Sequence, residues 1–474
     1  MDDALSRRAI ADCTQRRDKA GAKPGAKPGA MTLLTLCLAV LVAQVDTAVV
    51  NLATRPIGDH FNAGVIALQW VIDSYNLVYA VLLLTGGLLA DLYGRRRVFM
   101  VGAALFTIAS LICAIAPSIA ILIFGRALAG VGAALLLPAS LAIIRVVWHD
   151  EADRGRALGI WAACNGLAMA IGPTLGGLLI HHFGWRSIFL VVIPLSVAAL
   201  GFAVTSIPES SDPKGRHFDA SAQIVGAVAL GSLAFAAIQS HDAPAIAVIA
   251  FVIAVLALIV FIRIESKHGT AALVPLDIFQ SRKFRGAVTA TTAMTFGMYG
   301  TLFLLPLTWQ STGRFDATGA GLALMPMALI FVMVSPFSGK LTQKFGVRLV
   351  TCGGVAIIGC GLLLIGGSAH RASILAAEVG LSLTGLGMGF ATGPLMGAAV
   401  AAVAAARSGT ASALINVARM AGATIGVAIL GAIYAVAQGG PGGLRLAMLF
   451  GGALQIICAA VAYRTMASRQ DSPK

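Results

Sequence analysis

Residues Gly86–Arg97 read GGLLADLYGRRR, and a related stretch, GKLTQKFGVR, follows at Gly339–Arg348. Gly87 aligns with Gly339, Leu89 with Leu341, Tyr93 with Phe345, Gly94 with Gly346 and Arg96 with Arg348, at an offset of 252 residues. In both copies a long apolar run ends in glycine and cationic side chains, and a second apolar run begins at once. The glycines permit a tight turn between two helices. A repeat of this kind means that the chain is built from two similar halves.

The composition says where those halves reside. Of 474 residues, 58% are hydrophobic and 11% charged, with a mean hydropathy of +0.88. A soluble chain of this length needs far more polar surface to cover its core. Apolar runs of about 20 residues, each able to cross roughly 30 Å of hydrocarbon, recur along nearly the whole sequence. The ~10-residue alternating segments of an outer-membrane barrel do not occur. Fourteen such runs can be drawn, and eight of them separate the two glycine–arginine loops. Two six-helix halves plus two inserted helices account for that number. The expectation is an all-α polytopic membrane protein with 14 spans. Residues 1–30 form a basic tail, read as disordered, and 31–207 the first six-helix half. Residues 208–265 are a linker carrying the two extra spans, 284–466 the second half, and 467–474 a closing tail. Parallel six-helix halves are an architecture of secondary transporters, which handle cargo near the midplane between them.

The net charge of +14 does not point to nucleic acid. Of the 34 lysines and arginines, 27 fall in the tails or in alternate loops on one side. Five (Arg55, Arg186, Arg314, Arg371 and Arg445) fall on the other side, and two lie inside spans. This is the positive-inside pattern, with both termini cytoplasmic and the chain in the cell membrane. The apolar run after residue 30 is too long for a signal-peptide core, and no cleavage pattern follows it. The seven cysteines are scattered without metal spacing, and neither HExxH nor GxxxxGK[ST] occurs. No metal, cofactor or ATP site is expected.

These stretches resemble a known family. The pattern G-x-L-A-D-x-x-G-R-R-R after the second span looks like the most widespread motif of the major facilitator superfamily. VDTAVVNLA (45–53) resembles the first-span motif of its fourteen-helix drug:proton antiporters. FGRALAGVGAALLLPAS (Phe124–Ser140) is similar to a fourth-span motif built on a buried arginine. AIGPTLGG (Ala170–Gly177) is similar to the fifth-span antiporter motif, and GTASALINVARMAGATIGVAILGA (409–432) matches the later spans in style. The resemblance covers essentially everything beyond residue 30 and lies nearest to actinomycete antibiotic exporters of the methylenomycin-resistance kind. It implies exchange of protons for a small-molecule cargo in the lipid bilayer, by a monomer. Departures are small: Ala168 replaces an expected glycine, Ser187 replaces an aromatic, and Arg55 stands where a small residue is commoner.

The charges inside the spans can be read without the family. Among the 20 acids only Asp46, Asp73 and Glu378 sit well inside a span, and among the bases only Arg126 and Arg419. A carboxylate near a bilayer centre costs about 2.5–3.5 kcal/mol on insertion scales, so such groups usually face the bundle interior and mark a pathway. Counting residues from the outer span ends puts Asp46, Asp73 and Arg126 at one depth, within roughly 3 Å. They belong to one half and so can meet. Gln69, Asp73, Asn76, Ala80, Gly87 and Asp91 share one stripe of the second span, while Asp46 and Asn51 share a face of the first. Two acids against one arginine leave one carboxylate over. The proton carrier is therefore Asp46 or Asp73, and the alternative is a static ion pair that fixes helix packing. Ser412, Asn416 and Arg419 form a comparable stripe in the thirteenth span, where packing and cavity roles stand even.

Asp91 facing Arg95, Arg96 and Arg97 is a candidate latch, together with Gly87 and Gly94 and their counterparts Gly339, Gly346 and Arg348. One conformation makes such a contact and another breaks it. Pro173 kinks the fifth span, and Gly172, Gly176 and Gly177 let another helix approach closely. The combined expectation is a proton-coupled exporter of drugs, antibiotics or other lipophilic molecules. Rival classes are a transporter of an ordinary metabolite and a membrane receptor that has lost transport. An enzyme is the least expected class, since no nucleophile–base or metal set is seen.

Overall fold

The computed structural model describes residues 29–211, 219–240, 242–268, 274–369, 373–403 and 407–467. The expected tails, 1–30 and 467–474, lie outside the described residues apart from Gly29, Ala30 and Ala467. The described chain is helical, without a strand. Fourteen long helices follow one another. The first half holds α1 (Ala30–Phe61), α2 (Val65–Tyr93), α3 (Arg95–Ile115), α4 (Ile119–Val147), α5 (Glu151–Phe183) and α6 (Ser187–Ser206). The inserted pair is α7 (Ala220–Gln239) and α8 (Pro244–His268). The second half holds α9 (Arg282–Ser311), α10 (Ala317–Phe345), α11 (Val347–Ser368), α12 (Ile374–Ala401), α13 (Ser408–Val436) and α14 (Gly440–Thr465). Thirteen of them are long and apolar enough to cross a membrane, and α5 occupies the place of the remaining expected span.

Local chemistry sets the ends. Ser118, Asp150, Asp219, Ser281, Asp316 and Ser373 each accept a hydrogen bond from a backbone N–H of the first turn that follows. Such caps satisfy donors that no helical carbonyl can reach. Several helices outrun their expected spans. α1 continues through Pro56 to Phe61, and there Arg55 Nε donates to Asp59 Oδ2 at 3.0 Å, an exposed pair one turn apart. That contact gives Arg55, unexplained by sequence, a local partner. α10 is not continuous: it breaks at Leu324, before Pro326, and passes through a short 3₁₀ turn at Ser335–Phe337 around Pro336. Proline removes a helix donor and crowds the preceding turn.

Packing sorts the helices into two bundles joined at one end. That end, which carries Asp59, is called here the Asp59 end, and the opposite one, carrying Gly94 and Gly346, the glycine-loop end. At the Asp59 end Gln69 Nε2 of α2 donates to the carbonyls of Val427 and Ala428 on α13, each at 3.1 Å. Gln310 Nε2 of α9 donates to Leu52 O of α1 at 3.1 Å, and Thr318 Oγ1 of α10 to Gly177 O of α5 at 3.0 Å. His181 Nδ1 lies 3.4 Å from Asp316 Oδ2. α7 lies against α2, where Gln223 pairs with Thr85 and donates to Val81 O at 2.6 Å. Outside it, α8 has the highest mean hydropathy of any span, 3.4, and the least burial. Its apolar residues face the lipid position.

Candidate functional site

Asp46 on α1 and Arg126 on α4 meet inside the first half. Arg126 Nη1 lies 2.6 Å from Asp46 Oδ2, and both side chains are only 2% exposed. Arg126 Nε also donates to Val71 O of α2 at 3.2 Å, and the guanidinium sits 4.6 Å from the Tyr75 ring centre. One arginine thereby ties three helices together. Planar guanidinium geometry suits this combined ion pair and ring contact.

Asp73 does not join them. It is fully enclosed, at 0% exposure, and neither carboxylate oxygen has a hydrogen-bond partner among the described residues. Of the two acids at this depth only Asp46 meets Arg126, for a reason of azimuth rather than depth. Asp73 lies one turn from Gln69 on the stripe that faces α13, whereas Val71 and Tyr75 turn toward Arg126. The carboxylate left over by the charge count is therefore Asp73. On the same stripe of α2, both amide atoms of Asn76 also lack partners among the described residues.

The other candidates fall into place singly. Asn51 donates to Thr47 O within α1, leaving its Oδ1 unpartnered, and Asn416 donates to Ser412 O within α13. Arg419 Nε is buried without a partner. Glu378 Oε2 is likewise unpartnered on α12, away from this stripe.

At the glycine-loop end Arg95 holds Asp91 Oδ1 through Nη2 and Nε, at 2.8 and 3.1 Å. Arg96 and Arg97 go elsewhere. Their backbone N–H groups donate to the two oxygens of Glu209, at 3.1 and 3.2 Å, and Arg96 Nη1 donates to Ile207 O. Glu209 thus caps α3 from the chain leaving α6, a role the sequence reading missed. Gly94, at φ +106°, makes this possible, because a Cβ there would come 2.7 Å from Glu209 Oε1. In the second copy Gln343 stands where Asp91 would be, and Arg348 Nε donates to Tyr463 O of α14 at 2.7 Å. Gly346 keeps a positive φ of 81°, whereas nothing crowds Gly339. Both halves thus use an arginine at the start of the third helix to bind the last turns of the sixth. Only the first half adds a carboxylate.

The kinked segment of α5 packs on both sides. A Cβ on Gly172 would lie 2.6 Å from that of Ala48, one on Gly176 2.6 Å from Val49, and one on Gly177 2.7 Å from Thr318 Cα. Pro173 O meets Gly321 of α10. α5 is therefore wedged between α1 of its own half and α10 of the other.

A family model of the Major Facilitator Superfamily matches residues 36–427. The chain belongs to that superfamily. This facilitator is 35% identical over 408 residues to the multidrug resistance protein Stp of Mycobacterium tuberculosis (strain CDC 1551 / Oshkosh), covering 85% of this chain and 76% of Stp. It is 32% identical over 442 residues to the methylenomycin A resistance protein of Bacillus subtilis (strain 168), covering 92% and 94%. Identity to the multidrug efflux pump LfrA of Mycolicibacterium smegmatis is 31% over 406 residues, covering 85% and 80%. Among solved structures, a peptide transporter crystallised with sulfate superimposes with a TM-score of 0.71 over 92% of this facilitator and 94% of that chain. At 14% identity that likeness speaks for the fold alone.

Proposed function

We propose that this protein exports lipophilic drugs or antibiotics in exchange for protons, by rocking its two halves about a central site. It works in the cell membrane as a monomer, with the glycine-loop end and both termini in the cytoplasm. The observation that carries this is Asp73: a fully enclosed, unpartnered carboxylate on the seam between the halves. A static scaffold gains nothing from an orphaned acid in the membrane, whereas a proton carrier needs one. The relatives named for multidrug resistance and efflux support the direction and the kind of cargo.

The Asp59-end contacts fit a cytoplasm-open conformation of such a cycle. Cargo enters from the glycine-loop end, reaches Asp73 and displaces its proton. The halves then part at Gln69, Gln310 and Thr318. Asp91 and Arg95 serve as the latch that favours one state over the other. Each proton returning inward supplies about 2.3 kcal/mol per 100 mV, besides the pH gradient.

The test is reconstitution into proteoliposomes with an imposed pH gradient and ethidium as a lipophilic probe. Ethidium movement should follow the gradient and stop when an ionophore collapses it. Uptake indifferent to the gradient would overturn proton coupling.

A further inference from the structure

Arg419 lies eleven residues into α13, and its side chain forms no hydrogen bond or ion pair among the described residues. Its Nε is shut off from solvent, and the buried phenols of Tyr79 on α2 and Tyr299 on α9 lie within electrostatic reach. The residue is half-buried, so its guanidinium is only partly solvated and has room for an anionic partner. Arg126 obtains Asp46, whereas Arg419 has no such partner among the described residues.

The hydrogen bonds from Gln69 fix how α2 and α13 face each other. The two helices run antiparallel there, since α2 starts and α13 finishes at the Asp59 end. Asp73 lies four residues from Gln69, about 6 Å along the axis. Arg419 lies eight residues from Val427 and nine from Ala428, about 12–14 Å along its own axis. The two backbones are therefore offset by about 6–8 Å along one seam. Thr424, three residues from Val427, stands at about the level of Asp73, its hydroxyl unpartnered among the described residues. Among the described residues the seam thus offers one unpartnered carboxyl group from the first half and one arginine without a counter-ion from the second, without the two meeting.

We infer that Arg419 is the anion-recognising residue of the cargo site. The preferred cargo then carries a carboxylate, sulfonate or comparable anion on an apolar body, and the anion takes the guanidinium while the body fills the seam. This rests on the export reading above and adds the substrate class. Arginine suits the role because its planar fork stays charged at any physiological pH and binds oxyanions through two donors.

The experiment measures binding in nanodiscs by fluorescence anisotropy. Its probes are a dansyl-labelled octyl sulfonate, the corresponding uncharged octanol, and ethidium. Arg419→Gln should weaken the sulfonate by about tenfold or more, which is about 1.4 kcal/mol. It should change the octanol by less than about threefold and tighten ethidium, because a repelling cation is gone. Arg419→Lys should keep most of the sulfonate affinity, as the charge remains. Asp73→Asn should act in the opposite sense, weakening ethidium and sparing the sulfonate. Retained ethidium binding in Arg419→Gln shows that the variant is folded. Equal loss of all three probes, or undiminished sulfonate binding, would overturn the assignment. Failure of gradient-driven ethidium export by the unaltered protein would instead overturn the export reading, while these affinities stay measurable.

Discussion

Replacing Asp46 by asparagine removes the carboxylate that faces Arg126 at 2.6 Å, with both groups 2% exposed. Truncating one member of a buried pair typically costs about 3–5 kcal/mol, because the remaining charge is stranded. Arg126 keeps two contacts after the change, the Val71 carbonyl at 3.2 Å and the Tyr75 ring at 4.6 Å. That places the expected loss at the low end, about 3 kcal/mol, or roughly a hundredfold in the unfolding equilibrium. The assay is unfolding in mixed micelles with increasing dodecyl sulfate, followed by tryptophan fluorescence. Adding Arg126→Gln to Asp46→Asn should recover more than half of the loss, because no stranded charge remains. Asp73→Asn should show the reverse sign, stability unchanged or raised, since that carboxylate has no partner to lose. An Asp46→Asn protein as stable as its parent, or a double variant as weak as the single one, would refute the view that Asp46 is committed to the scaffold. Asp46 would then return as a candidate proton carrier.

Four further outcomes are expected. Ethidium, as a cationic cargo, added to detergent-solubilised protein should release protons, and Asp73→Asn should abolish that release while Asp46→Asn/Arg126→Gln retains it. Asp91→Asn should slow turnover at least tenfold with cargo affinity changed less than threefold, because the Arg95 contact is lost far from the seam. Gly177→Val should force α5 and α10 apart at the Asp59 end, where a Cβ would stand 2.7 Å from Thr318 Cα. A cysteine introduced by Ala320→Cys should then label faster with an impermeant maleimide, and an unchanged rate would contradict the wedge. For topology, single cysteines at Asp59, Ser118 and Asp242 should label from outside and one at Ser211 should not.

Depth was legible in the sequence because helix rise is constant, and it brought Asp46 and Arg126 to the same level before any coordinates. Facing was not. Asp73 shares their depth, yet its azimuth on α2 turns it to α13, and only the packing of the halves decides that. The repeat at Gly87 and Gly339 gave the two-half architecture and the inserted pair, since matching loops must join matching helices. What escaped notice were contacts to backbone. Gln69 meets two carbonyls of α13, and Glu209 meets two N–H groups of α3 from more than 100 residues away. Carbonyls and amides have no residue signature, so their partners stand in the sequence only as a glutamine in an apolar run and a glutamate after a proline. The break of α10 is intermediate: Pro326 and Pro336 were visible, but whether a proline kinks or interrupts depends on its neighbours.

The contrast between the two aspartates bears on how protons are coupled to movement. A ligand shifts a conformational equilibrium only by its difference in affinity between the states. The Asp46–Arg126 pair lies wholly inside one half, so rigid rocking leaves its surroundings alone and protonation there has little leverage. Asp73 and Arg419 stand on opposite walls of the seam, where every rocking step changes what each faces. Moving an equilibrium from 1:99 to 99:1 takes about 5.5 kcal/mol of such difference. One proton crossing 100 mV brings about 2.3 kcal/mol. A single seam carboxylate therefore cannot drive the full swing from the membrane potential alone. The balance has to come from the pH gradient and from cargo that neutralises the seam charges in one state and deserts them in the other. On this argument, cargo and proton work on the same two residues from opposite directions, so losing either charge should uncouple transport before it stops binding.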